Sequence, residues 1–398
     1  MMFTVSWFTR MTVRVPILGM MRIDLLMVVL LFVIHIMSAN DYKYKNNDIY
    51  KKLISLVIVI IIATPFAEWP GSAIKFGLEN YIKSVMFFFF SVWYLKDTNK
   101  LQLYVLVLIM CQSIRVIEPL YLHITEGYWG SIASMANWEY MNRLSGAPSD
   151  IINPNGLAFV ILTIIPFLLT FHSNNIVWKL LSIIVGPACL YTLYLTGSRS
   201  GMLGLLVIVI IFIAESKNKT LYTFITAIII FTAASGMEGD FKDRYLSIFT
   251  SDTKNAATAE GRIDGVYKDF MVGMRRPIFG HGLGTSREAN ANYGRVNQLS
   301  HNIYTETFQE IGLIGLIMLI SYMKTIVDKS RYIGTSGASL YERKMGKILF
   351  VLSAMNIFFG LASYGLSSYE WYLMGGLIVA VTQINDQMSV ENLQDRII

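Results

Sequence analysis

Apolar residues in this chain come in long, nearly unbroken runs, separated by short stretches rich in Lys, Asn, Ser and Gly. A helix needs roughly twenty residues to cross a bilayer. Runs near that length predict spans at 23–38, 53–68, 79–95, 101–119, 156–172, 176–196, 201–215, 221–236, 303–327, 345–364 and 369–384. Strands of a membrane barrel would be about half as long and would alternate apolar with polar positions, a pattern this sequence lacks. The expected fold is therefore all-α, a polytopic transmembrane helical bundle of 11–12 spans. The twelfth depends on residues 1–21, weakly apolar sequence interrupted by Arg10 and Arg14. That stretch reads as an amphipathic surface helix, as a poor first span, or as an extension ahead of the true start. It has no clean cleavage site of a removed signal peptide.

One polar break is far longer than the others. Residues 237–300 hold Arg262, Arg275, Arg276, Arg287 and Arg295 together with His281, and His301 follows at once. The chain thus divides along its length into an N-terminal transmembrane bundle (1–236), a large loop (237–300) and C-terminal transmembrane helices (301–398) of one integral membrane domain. Within the loop, Ala259-Glu260-Gly261-Arg262 reads as a turn. Ile263, Val266, Tyr267, Phe270 and Met271 follow at the spacing of an amphipathic helix. Such a helix would lie along the membrane surface with Arg262 near its N-terminus, where a guanidinium and free backbone N–H groups converge on an anion. Arg262 reads equally well as a solvated arginine on that helix. Gly280-His281-Gly282-Leu283-Gly284 lacks the strand and the Lys-Ser or Lys-Thr of a phosphate loop, and is expected to be a flexible turn.

Composition sharpens this picture. At 54% hydrophobic and 15% charged residues, the chain is too apolar for a soluble domain of its size. A net charge of +6 would suggest nucleic acid in a soluble protein. Here it is the Lys and Arg excess of cytoplasmic loops, and no nucleic-acid partner is expected. One set of alternate loops holds Lys43, Lys45, Lys51, Lys52, Lys96, Lys100, Lys217 and Lys219, then Lys324, Lys329, Arg331, Arg343, Lys344 and Lys347. The opposite set offers little beyond Lys75, Arg143 and Arg199. The first set is assigned to the cytoplasm, so residues 237–300 and 125–154 face outward. Cys111 and Cys189 both fall inside apolar runs, and the five histidines are scattered. No metal constellation and no cofactor motif is expected.

A few charges lie where apolar sequence should be. An ionisable group at membrane depth costs about 3 kcal/mol, so it tends to face a partner or a cavity. Lys83 lies one turn from Glu79, and Arg115 three residues before Glu118. Each reads as a local ion pair near the headgroups, or as a residue lining an outward cavity that receives an anion. Arg199 stands in Leu195-Thr196-Gly197-Ser198-Arg199-Ser200-Gly201, between two runs with almost no loop. Its fork matches phosphate oxygens, Ser198 and Ser200 add hydroxyl donors, and the outer face is the wrong one for a topology-marking arginine. Phosphate binding is the favoured reading. His301 opens the ninth span beside Asn302, with Glu306 and Glu310 on one face of the helix that follows. It reads as an interfacial polar residue or as a general base.

Three stretches together resemble the O-antigen ligase and polymerase family of bacterial membrane glycosyltransferases. They are Thr196-Gly197-Ser198-Arg199-Ser200-Gly201; Gly261-Arg262 followed by Pro277-Ile278-Phe279-Gly280-His281-Gly282; and His301-Asn302, nine residues, then Gly312-Leu313-Ile314-Gly315. Asn153-Pro154-Asn155-Gly156-Leu157-Ala158 is similar as well, so the resemblance covers about 153–315. It implies an inner-membrane enzyme that takes an undecaprenyl-diphosphate-linked glycan at the periplasmic face. Arg199 and Arg262 would bind the diphosphate, and His301 would be the catalytic base. Lys83, Arg115, Ser198, Ser200 and Asn302 are candidate cavity-lining residues. The resemblance implies inversion at the anomeric carbon, with no metal and no cofactor. The acceptor would be the lipid A–core of lipopolysaccharide for a ligase, or another lipid-linked glycan for a polymerase of surface polysaccharide or exopolysaccharide. The modest loop, with no further domain after the last span, weighs against a protein acceptor. The competing class is a polysaccharide or lipid-linked oligosaccharide transporter or flippase, for which midplane charges and inverted repeats would be expected.

Overall fold

A computed structural model describes residues 1–38, 43–130, 142–235, 239–246, 256–293, 297–363 and 365–394. Every regular element among them is helical, with no strand. Each of the eleven apolar runs forms a helix, from Ile23–Met37 and Asp48–Ala63 through Ile303–Ser336, Leu340–Gly360 and Glu370–Gln394. Five described helices are long and apolar enough to cross a membrane by length and composition: Asp48–Phe66, Thr98–Glu126, Pro154–Phe171, Ile176–Leu195 and Ile303–Ser336. The protein is an all-α polytopic helical protein.

The chain forms two compact units, one of residues 1–29 and 104–260, the other of residues 30–103 and 261–398. In the first unit the N-terminal stretch is not a twelfth continuous span. It folds as three short helices, Met2–Phe8, Met11–Arg14 and Pro16–Met20. Arg10 adopts φ 53° and breaks the helix there, and Pro16 restarts it after extended Val15. The two arginines that interrupt the apolar pattern reach back to acids of the same unit. Arg10 Nε lies 3.1 Å from Asp150 Oδ1, and both terminal nitrogens of Arg14 pair with Glu118. Further along, Asn153, Asn175 and Ser198 cap Pro154–Phe171, Ile176–Leu195 and Arg199–Glu215 with their side-chain oxygens. A Cβ on Gly201 would stand 2.7 Å from that of Ala158, so the glycine admits close helix approach, as in other apolar bundles.

In the second unit Ile303–Ser336 and Leu340–Gly360 form a helical hairpin whose backbones meet at Gly334 and Gly346. A Cβ on Gly346 would fall 2.3 Å from Gly334 N. Glu370–Gln394 packs on Glu79–Tyr94 in the same way, through Gly376 against Phe88 O.

Candidate functional site

The arginine turn belongs to the first unit. Helix Ile176–Leu195 stops at Thr196, Gly197 takes φ 54°, and Ser198 starts the next helix by accepting Gly201 N–H at 3.1 Å. Arg199 is therefore the first residue of a helix and is buried, as are Ser198 and Ser200. The loop before Asn153 is laid against this turn. Leu144 N–H donates to Leu195 O at 3.0 Å, and Arg143 Nε donates to Thr196 O at 2.8 Å. Arg143 Nη2 donates to Asn155 Oδ1 at 2.8 Å. The same oxygen accepts from Ser198 Oγ at 2.9 Å, and Ser198 Oγ lies 3.2 Å from Ser200 Oγ. Arg143 and Arg199 are close enough for each to act on the other's charge. Sequence reading had Arg143 only as a loop charge. The usable signal was its position, an arginine on the side where basic residues are scarce, which is the signal that singled out Arg199.

Lys83 and Arg115 meet partners. Lys83 Nζ lies 2.6 Å from Glu79 Oε1, the expected helical pair of the second unit. Arg115, in the first unit, does not take the expected Glu118. Its Nε and Nη2 donate to Asp150 at 2.5 and 3.3 Å, and its Nη1 to Gln112 at 3.0 Å. Glu118 faces Arg14 instead. Spacing along one helix cannot reveal a partner supplied by a loop that folds back.

Arg262 and His301 belong to the second unit. The loop helix runs Ala256–Gly273, so it starts earlier than the expected turn at 259–262. Arg262 sits inside the helix, where its N–H is taken by the ladder, and not at an N-terminus with free donors. The Ala-rich residues before it favour helix, and this overrides the turn signal of Gly261. The Arg262 side chain lies outside the described side chains, and Arg295 lies outside the described residues. Tyr267, Phe270 and Met271 are exposed, while Asp269 and Val272 are buried.

His301 is half-buried, and its Nε2 contacts the side-chain nitrogen of Gln298. Asn302 caps Ile303–Ser336, accepting from Tyr304 N at 2.9 Å and Thr305 N at 3.1 Å, and its Nδ2 donates to Leu361 O at 3.1 Å. Its amide thus builds the helix start next to His301. The carboxylates of Glu306 and Glu310 are each occupied by loop backbone. Glu306 accepts from Gly365 N at 2.8 Å and Leu366 N at 3.1 Å. Glu310 accepts from Gly284 N at 2.7 Å and Ser286 N at 3.3 Å.

The glycine turn is packed, not flexible. His281 is fully buried, and His281 N and Gly282 N donate to Gln309 O and Glu310 O at 2.8 and 2.9 Å. A Cβ on Gly280 would strike Glu310 and one on Gly284 would strike Gly77, so the glycines mark close backbone approach. His281 Nδ1 lies 2.5 Å from Glu68 Oε2, and its Nε2 lies 3.0 Å from Val272 O. Tyr293 Oη donates to Glu68 Oε1 at 2.7 Å, and Arg275 lies over the Tyr293 ring at 4.3 Å. Burial pushes the Glu68 carboxyl up, but hydrogen bonds from Tyr293 and His281 and the Arg276 charge hold it below its ordinary value. Nothing local in the sequence couples Glu68 to a turn more than half the chain away.

Among the described residues no group of His, Cys, Asp and Glu could hold a metal ion. Residues 187–320 match the family model described as O-antigen ligase. The matched stretch contains the arginine turn, Arg262, the glycine turn, His301-Asn302 and the pair Gly312 and Gly315. No curated protein matches the chain.

Proposed function

Because the chain carries the O-antigen ligase domain over residues 187–320, we propose that it is an inner-membrane glycosyltransferase using a lipid-linked glycan at the periplasmic face. The observation that supports this best is Arg199, buried in a turn between two apolar helices and set among serine hydroxyls inside that domain. A guanidinium held there recognises the diphosphate of an undecaprenyl-diphosphate-linked donor, and Arg262 is assigned to the same group. His301 takes the proton of the acceptor hydroxyl. The hydroxyl oxygen attacks the anomeric carbon, the bond to the diphosphate oxygen breaks, and undecaprenyl diphosphate leaves with that electron pair. Attack opposite the leaving group inverts the anomeric centre. Arginines aimed at the leaving diphosphate stabilise charge that develops in the transition state, so the reaction is assigned no metal. The outward orientation of this face follows from the Lys and Arg loop asymmetry.

The test is glycan transfer by purified protein in liposomes, offered a polyprenyl-diphosphate donor with either lipid A–core or a second lipid-linked repeat unit as acceptor. The acceptor consumed separates ligase from polymerase. Arg199→Ala and His301→Ala should insert normally and lose about 10²–10⁴-fold in turnover, the range for removing a general base or a preorganised charge. Full turnover by reconstituted His301→Ala refutes its role as base.

A further inference from the structure

We infer that Asn290 is a positioning residue for His301, acting through Gln298. The inference rests on His301 serving as the base and deepens that reading. Asn290 is buried on helix Ser286–Asn292, and its amide meets three other stretches of the second unit. Its Nδ2 donates to Asp269 Oδ1, on the loop helix that carries Arg262, at 3.0 Å. The same nitrogen donates to Gln298 O at 3.0 Å, three residues before His301. Its Oδ1 accepts from Gln309 Nε2 at 2.9 Å, on the helix that follows His301. Both N–H bonds and the oxygen of this amide are therefore engaged. The backbone at Gln298 is fixed from the protein interior, and its exposed side chain reaches His301 Nε2.

Residues 297–302 lie outside any helix, so side-chain hydrogen bonds set their course in place of a backbone ladder. Asn290 supplies one of these at Gln298, and Asn302 supplies the next at the helix start. The residue type at 298 completes the argument. An amide suits a base that changes charge during turnover. Its N–H donates to an unprotonated ring nitrogen, and its oxygen accepts from that nitrogen once the ring carries a second proton. A carboxylate would favour the charged ring alone, and a charged ring takes no further proton. A plain loop anchor needs no amide at 298, because Asn290 grips a backbone carbonyl that any residue would offer.

The test is the pH dependence of kcat/KM for glycan transfer by the full chain in liposomes, with a polyprenyl-diphosphate donor and the acceptor that the wild type consumes. Gln298→Glu sets a carboxylate beside the imidazole and favours the protonated ring. The acidic limb of the profile should move to higher pH by about one unit. Adding Asn290→Ala should cut that displacement by about half or more, because residue 298 is then no longer held at the ring. Asn290→Ala alone should lower kcat about tenfold to a hundredfold, the cost of a misplaced group, and leave the donor KM unchanged. A merely structural Asn290 would lower the melting temperature and leave the displacement whole, which overturns the inference. An unmoved profile in Gln298→Glu overturns it as well, and that variant alters an exposed residue. Should Asn290→Ala fail to fold, Asn290→Ser breaks the same hydrogen bonds and is read in the same way. The buried acids of this unit, Asp269, Glu306 and Glu310, are present in every variant, so their charges cancel from the comparison. Full turnover by His301→Ala would instead sink the reading underneath, so the two failures are distinct.

Discussion

Glu68 shows how a single carboxylate can hold a distant loop. It accepts from Tyr293 and faces His281, and Arg276 Nε lies 3.9 Å away. Its native-state proton affinity is lowered, so the carboxylate form binds the loop better than the acid form does. The stabilisation is complete above the unfolded carboxylate value, about 4.3, and is lost as pH falls through the lower native value. Hydrogen exchange of peptide 277–285 checks this. At neutral pH the wild type should be better protected than Glu68→Gln, and the gap should close in acid. An equal gap at all pH values would sink the assignment. None of this was legible in the sequence, where His281 lies between glycines and Glu68 ends an apolar run. Arg199 was legible, because an arginine between two apolar runs is conspicuous whatever its partners are.

Among elements, the existence of each apolar helix was legible because lipid-length apolar runs leave little choice, whereas several ends were not: the runs expected at 101–119, 303–327 and 369–384 are helical over Thr98–Glu126, Ile303–Ser336 and Glu370–Gln394. The misreadings occurred where tertiary partners decide. The loop helix absorbed the turn expected at 259–262, and Arg115 found Asp150. Gly312 is the clearest case of an element shaped by its neighbours. The first turns of Ile303–Ser336 break at φ 70° and ψ −171° there. Leu313 N–H donates to Pro277 O across the break, and a Cβ on Gly312 would fall 2.1 Å from Ile278 O. Gly312→Ala should therefore lower stability by about 1–3 kcal/mol, the usual cost of a strained backbone position. Gly265, inside the loop helix with nothing near its missing Cβ, provides the control. Gly265→Ala should hold or gain up to about 1 kcal/mol. Thermal melts of the two purified variants decide it, and equal melting temperatures would remove strain at Gly312 from the account.

At the scale of the whole molecule, polarity along the chain and compactness in space divide the protein differently. The hydropathy pattern separates 1–236, 237–300 and 301–398, whereas the compact units join 1–29 to 104–260 and 30–103 to 261–398. A one-dimensional pattern reports which residues meet lipid, and it is silent on which helices choose each other as neighbours. What it does predict is sidedness, since positive charge is retained on the cytoplasmic side. That prediction bears directly on the proposed activity, which requires the lipid-linked donor to be used at the outer face. Cys111 and Cys189 are both buried, so single cysteines can be introduced as reporters. Asn292→Cys, exposed at the end of helix Ser286–Asn292, should react with an impermeant maleimide added to intact spheroplasts. Leu340→Cys, exposed where the Lys- and Arg-rich hairpin turns, should react only after the membrane is opened. The reverse pattern would place the polar segment in the cytoplasm and leave the proposed donor on the wrong side of the bilayer.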